Sequence, residues 1–262
     1  MKPARRFLML VPALIAASLA MPAAQTPAIA ERANEVRFQL DFKVPDAALA
    51  AVMPKGFTPD VATTGPAKDC NVRVIFIDRV TINGANNAGI GKGTSQIAFV
   101  VAPVKDPAGQ STQLVISGLV ADPADAPGPY GNYLATQTHT MRKTTAPPAG
   151  GSGPQLESQD WVFAAATGEH LELHVTYERG IGNFRPLYER KYYSAKDPTK
   201  FQVAHEELVL DIMKNVTTTP PDHVKSYSFK GGGGSLAKMF DGTEKVLSWD
   251  NILWMVQTID AK

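Results

Sequence analysis

The residues best suited to chemistry lie in one stretch, Gly128 to Lys143, which reads GPYGNYLATQTHTMRK. It follows an apolar run, Gln113 to Val120, and brings Tyr130, Tyr133 and His139 ahead of adjacent cations, Arg142 and Lys143. A lysine held in a pocket beside a permanently charged arginine has its pKa lowered and can attack a carbonyl carbon. His139 or Tyr133 would then carry the proton. The same pair facing water would be a solvated surface, and the residues alone leave both readings open.

Other constellations carry less. His170, Glu172 and His174 alternate with Leu171, Leu173 and Val175, so a strand would put two imidazoles and a carboxylate on one face. The leucines and the valine make the better core face, so the histidine face is expected to be wet and no metal is expected. Tyr188 to Tyr193 mixes cations with aromatics and reads as a solvated edge strand. Gly231 to Gly234 lacks the lysine and hydroxyl of a phosphate loop, and no serine sits in a Gly-x-Ser-x-Gly elbow. Cys70 has no partner, so no intrachain disulfide can form, and a buried inert thiol is the expectation.

These residues are carried by a chain with an N-terminal leader. Lys2, Arg5 and Arg6 precede an apolar run from Phe7 to Leu19, followed by small residues and prolines, the pattern of a secretory signal peptide. Residues 1–30 are read as that leader, with cleavage between 20 and 30, and 31–262 as a single domain, periplasmic or secreted. Nothing later is apolar for long enough to span a bilayer as a helix. Removing the three basic residues of the leader from the total of 26 leaves 23 against 25 acidic, a net charge near −2. That excludes the basic face of a nucleic-acid binder and leaves a small molecule as the expected partner. Whether the chain forms a homo-oligomer stays open.

The elements that position the residues read mostly as strands. Val36, Phe38, Leu40 and Phe42 alternate with Arg37, Gln39, Asp41 and Lys43, a half-buried strand with the charged set facing outward. Pro45 to Met53 is a short helix. Asn71 to Val80 is mixed on both faces and is expected to be covered on each side. Ser95 to Pro103 and Gln113 to Val120, separated by Lys105-Asp106-Pro107-Ala108-Gly109-Gln110, form a hairpin, as do Trp161 to Ala166 and His170 to Tyr177. Arg185 to Tyr193 is another strand, and Phe201 to Met213 is strand or short helix. With 21 glycines, 20 prolines and little helical periodicity, a mainly β barrel or sandwich follows.

The opening strand, the short helix ending Val52-Met53-Pro54-Lys55-Gly56-Phe57-Thr58-Pro59 and the strand Val72 to Phe76 resemble the start of the acetoacetate decarboxylase superfamily. The likeness continues through Gly89-Ile90-Gly91, Tyr130-Gly131-Asn132-Tyr133-Leu134 and the hairpin Trp161 to Tyr177, over about residues 35 to 180. The resemblance implies a cone-shaped β-barrel with a few short helices around a buried pocket. There a lysine forms a Schiff base with a β-keto acid, activated by an adjacent cation. An arginine and two glutamates of the pocket hold the substrate, and no cofactor is needed.

This chain departs from that pattern. Counted from Gly131 without gaps, the Schiff-base position falls on His139 and its neighbour on Thr140; a shift of a few residues brings Arg142 and Lys143 into register. The glutamate expected at the start of the third strand is absent from Gly93-Thr94-Ser95-Gln96, and Arg32 or Arg37 would stand for the arginine. The resemblance thus implies Lys143, Arg142 and His139 as catalytic groups of a lyase, with Tyr130, Tyr133 and Gln96 binding a small carbonyl or carboxylic compound. The alternative is a non-catalytic periplasmic carrier of a small apolar ligand.

Overall fold

The computed structural model describes residues 29–214 and 223–260. Most of the expected leader, through residue 28, lies outside them. The elements run β1 Ile29–Lys43, α1 Asp46–Ala50, β2 Thr58–Pro59, β3 Val72–Gly84, β4 Ser95–Lys105, β5 Ser111–Val120, β6 Tyr133–Ala146, β7 Leu156–Ala165, β8 His170–Glu178, β9 Asn183–Ser194, β10 Phe201–Lys214, β11 Val224–Gly232 and β12 Lys245–Asp260, with short 3-10 turns between some of them. The protein is mainly β, as its alternating pattern and turn chemistry require. The segment left between strand and helix is a strand, β10.

Seven strands close into a ring in the order β5-β9-β10-β12-β1-β3-β4, with β4 pairing back onto β5. The closure depends on β5 branching. Gln113 to Val115 pair in parallel with β9, while Gly118 to Val120 pair in parallel with β6. From that branch β6, β7, β8 and β11 continue as a second layer, which covers one side of the ring.

A strand in a covered ring has no solvent face, and this decides where the core sits. Phe38, Leu40 and Phe42 of β1, with Val72, Val74 and Phe76 of β3, point out of the ring against Trp161, Phe163, Leu171, Leu173 and Tyr177 of the second layer. Phe76 packs 5.7 Å from Trp161 and 6.3 Å from Phe163, and Phe38 lies 5.6 Å from Tyr177. This interlayer slab is the main apolar core. The interior of the ring holds a smaller apolar set, Ile75, Ile77, Ile97, Phe99, Val101 and Val115. The remaining interior positions are charged and polar. β4 reads IAFVVAPV because it is buried on both faces.

The charged face of β1 therefore points inward, which corrects the reading of Arg37 as an outward residue: Glu35, Arg37 and Asp41 are buried inside the ring. The solvated-edge reading of Tyr188 to Tyr193 is corrected for the same reason. β9 is a ring strand between β5 and β10, and Tyr188, Arg190 and Tyr192 line the interior. Residues of the second layer behave as expected: Leu171, Leu173 and Val175 are buried, while His174 is exposed and hydrogen-bonds Asp160 at 2.8 Å. Cys70 is buried, and burial pushes its thiol pKa up to about 12.

Because the two layers meet through aromatic side chains, the slab should be sensitive to truncation. Phe76→Ala is expected to cost about 3–5 kcal/mol of unfolding free energy, read as a lowered urea midpoint at an unchanged m-value.

Candidate functional site

The interior of the ring is organised around Glu206 on β10. Its carboxylate is buried and accepts hydrogen bonds from the Tyr192 and Tyr188 hydroxyls, each at 2.7 Å, and from Gln257 Nε2 at 2.8 Å. Arg37 stands 3.9 Å away and Arg190 3.7 Å away. Burial alone would raise the Glu206 pKa; Arg37, Arg190 and the two hydroxyls overcome it and hold the pKa below the usual carboxylate value. Arg37 also makes a close ion pair with Glu35, at 2.5 Å. Glu35 accepts from Arg79 at 3.1 Å, and Arg79 in turn pairs with Glu31. Arg37 thus sits between two carboxylates, Glu35 of β1 and Glu206 of β10.

Below this network lies a cavity of about 200 Å³, which reaches the surface beside the exposed Pro66. Its polar lining includes Arg37, Arg73, Arg190, Asp41, Gln113 and Asp250, and its apolar lining includes Ile75, Val101, Leu208 and Ile252. Arg73 Nε is paired with Asp41 at 3.1 Å. Asp41 also accepts from Ser248 at 2.7 Å and from Gln39 at 3.0 Å. The Arg190 guanidinium lies 5.2 Å over the Tyr188 ring, and its nearest carboxylate is the 3.7 Å contact with Glu206. It is the least engaged of the three cations. Asp250 behaves differently from its neighbours: burial, with the nearby Asp41 carboxylate, pushes its pKa up to about 8. Among the described residues no lysine lines the cavity.

Above the network the barrel is plugged by the stretch that drew attention in the sequence. Tyr130 is buried, and Tyr133 packs 6.2 Å from Phe99 and from Tyr130. Two glycines make room for them. The Tyr133 ring lies where a side chain on Gly118 would be, and Gly128, at φ 74°, faces the Tyr130 ring and Gln202. Burial raises both phenolic pKa values, and neither hydroxyl has a hydrogen-bond partner among the described residues. Only about 20 Å³ remains beside them, room for a water.

The cations of that stretch go elsewhere. β6 is outside the ring, and successive residues on a strand point to opposite faces, so Arg142 and Lys143 do not converge. Arg142 is exposed. Lys143 turns toward the interlayer margin, where its ammonium lies 3.0 Å from the buried Glu157, a carboxylate that also accepts from Tyr177, Gln159 and Arg179. The burial that would raise the Glu157 pKa is outweighed by those donors. His139 sits edge-on to Phe163 at 4.5 Å, with its pKa lowered by burial. Gln96 is on the same margin, hydrogen-bonded to Asp78, whose charge Lys143 also feels. Of the six residues singled out, Tyr130 and Tyr133 enter the barrel, Lys143, His139 and Gln96 lie between the layers, and Arg142 faces water.

The sequence matches no protein-family model and no curated protein. Its fold matches solved structures. An acetoacetate decarboxylase-like enzyme from Sphingomonas wittichii RW1 superposes with a TM-score of 0.53 at 12% identity, over 93% of this chain and 96% of that one. The enduracididine biosynthesis enzyme MppR, solved with the condensation product of pyruvate and imidazole 4-carboxaldehyde, gives 0.51 at 10% identity, over 90% and 88%. The chain therefore has the acetoacetate decarboxylase-like fold.

The Glu206 network carries a pH signature. A carboxylate whose folded pKa is depressed adds stability above its unfolded pKa and loses it as pH falls through the folded value. Glu206→Gln, which leaves Arg37 undercompensated, is expected to cost about 3–5 kcal/mol near neutral pH. Denaturant titrations should show that gap narrowing below about pH 4, where the wild-type carboxylate also protonates.

Proposed function

We propose that the protein is exported and that its barrel cavity binds a small carbonyl or carboxylic compound without forming an imine, as a carrier does. The observation that carries this reading is the lining of the cavity. Arg190 is a guanidinium whose nearest carboxylate is beyond hydrogen-bond distance, in a space of about 200 Å³ with a mixed polar and apolar lining. A guanidinium takes a carboxylate bidentately, and a cavity of that size suits a compound of a few carbons. The polar interior replaces the apolar ligand expected of a carrier with a polar one.

Imine chemistry has less support. It needs an amine inside the pocket, whereas the Lys143 ammonium is held by Glu157 outside the ring. The signal-like leader supports export, and with it a periplasmic or secreted role in holding or delivering the ligand.

A panel of acetoacetate, pyruvate and butanoate tests this. At saturation at least one is expected to raise the melting temperature by a few degrees, and Arg190→Gln should weaken that binding about tenfold or more. Borohydride added with the ligand should leave the mass of the protein unchanged. An adduct on Lys143 would overturn the non-imine reading, and a flat melting temperature with all three compounds would overturn binding.

A further inference from the structure

The fork in β5 leaves a second opening, on the outside of the ring. Gln113 to Val115 pair with β9 and Gly118 to Val120 with β6, so Ile116 and Ser117 stand between the two branches. They also form a β-bulge: Val115 lies opposite Val101 and Ser117 opposite Val100, and Ile116 is the extra residue. Val115 and Val120 pack inside the ring. Alternation counted from each of them puts Ile116 and Ser117 on the same, outer face, where a regular strand would show only one of the two.

Beside them runs a groove of about 590 Å³, which shares no lining residue with the barrel cavity. Its apolar walls come from Val52, Met53 and Pro54 after α1, from Ile116 and Leu134, and from Ala195 after β9. Two polar groups of the lining are uncommitted. Ser117 is 3% exposed, and its hydroxyl has no hydrogen-bond partner among the described residues. Lys196 is exposed at the rim; its ammonium donates to the Gly131 carbonyl at 3.1 Å and has no carboxylate partner among the described residues. The two are brought to the fork together, because Asn132 Nδ2 and the Ala195 amide both donate to the Val115 carbonyl, at 2.6 and 2.8 Å. Glu169, on the second layer, is committed already. It accepts from the Thr167 hydroxyl and from the Ser235 amide and hydroxyl at 3.1 and 3.3 Å, donors that keep it ionised.

These features select one chemistry. Apolar walls left in contact with water favour an apolar body, and an ammonium with N–H groups to spare beside an unpaired hydroxyl favours an anionic oxygen head. The Glu169 carboxylate in the same groove opposes a second negative charge. We propose that the groove is a second binding site, for a monocarboxylate with an alkyl chain of about eight to ten carbons. Its head is held by Lys196 and Ser117 at the fork, and its chain lies along Val52, Met53, Ile116 and Leu134.

Calorimetric titration with hexanoate, octanoate and decanoate, each below its micelle concentration, tests this. Affinity should rise about threefold per added methylene, and decanedioate should bind more weakly than decanoate. Lys196→Gln is expected to weaken decanoate about tenfold, while Lys196→Arg keeps it and Arg190→Gln, inside the ring, leaves it unchanged. The 13C-labelled methyl of Met53, assigned with Met53→Leu, should shift as decanoate is added. Affinity indifferent to chain length, no binding of any of the acids, or a Met53 methyl that does not move would overturn the site. Binding lost in Arg190→Gln and kept in Lys196→Gln would put the chain in the barrel cavity and overturn it as well. Decanedioate bound as tightly as decanoate would overturn the selection of a single charge by Glu169.

Discussion

Burial of the Arg37 guanidinium in the middle of a closed ring is the constraint on which the rest depends. An unpaired cation there would be prohibitively costly, so the interior is built to neutralise it. Glu35 pairs with it on its own strand, and Glu206 approaches from β10. Each glutamate needs further donors in turn, which Tyr188, Tyr192 and Gln257 supply to Glu206 and Arg79 supplies to Glu35. The network engages side chains from five ring strands, β1, β3, β9, β10 and β12, so it ties the ring together as well as filling it. What it leaves is a cavity whose polarity is already set before any ligand arrives.

The division of labour between the layers follows from the same geometry. A ring of seven strands has an inside too small to bury all its apolar residues, and one outer wall must be covered. The second layer does this with Trp161, Phe163, Leu171, Leu173 and Tyr177, which makes the interlayer slab the stabilising core and frees the interior for polar groups. Lys143 and Glu157 close the margin of that slab with an ion pair in which the carboxylate is buried and the lysine partly exposed. The branching of β5 is what lets a segment pass from the ring into the second layer, and Tyr130 and Tyr133 enter the barrel at that point.

The strands were legible in the sequence because period-two alternation and Asp-Pro-Ala-Gly turn chemistry are local. The faces were not. Alternation in Glu35 to Lys43 separates two sets of residues without saying which faces water, and in a covered ring neither does; hence Arg37 reads outward and lies inward. The Tyr188 to Tyr193 run misleads in the same way. A usable signal was present in β10, where Glu206 shares a strand face with Ala204 and Leu208, a lone carboxylate among apolar neighbours that implies a buried partner. The pairing of Lys143 with Glu157 depends on a contact between β6 and β7 and on the position of β6 outside the ring, neither of which a single strand's pattern contains. Of the stretch from Gly128, the tyrosines rather than the cations reach the barrel.

The central claim is that a small acid is taken into the barrel and held there without a covalent bond. A crystal structure of the protein grown with saturating acetoacetate tests it most directly. The account predicts continuous density for the compound inside the ring, its carboxylate on Arg190, with Lys143 still paired to Glu157. Density joined to Lys143, or a barrel interior that stays empty while the compound sits between the layers beside Gln96, would contradict it.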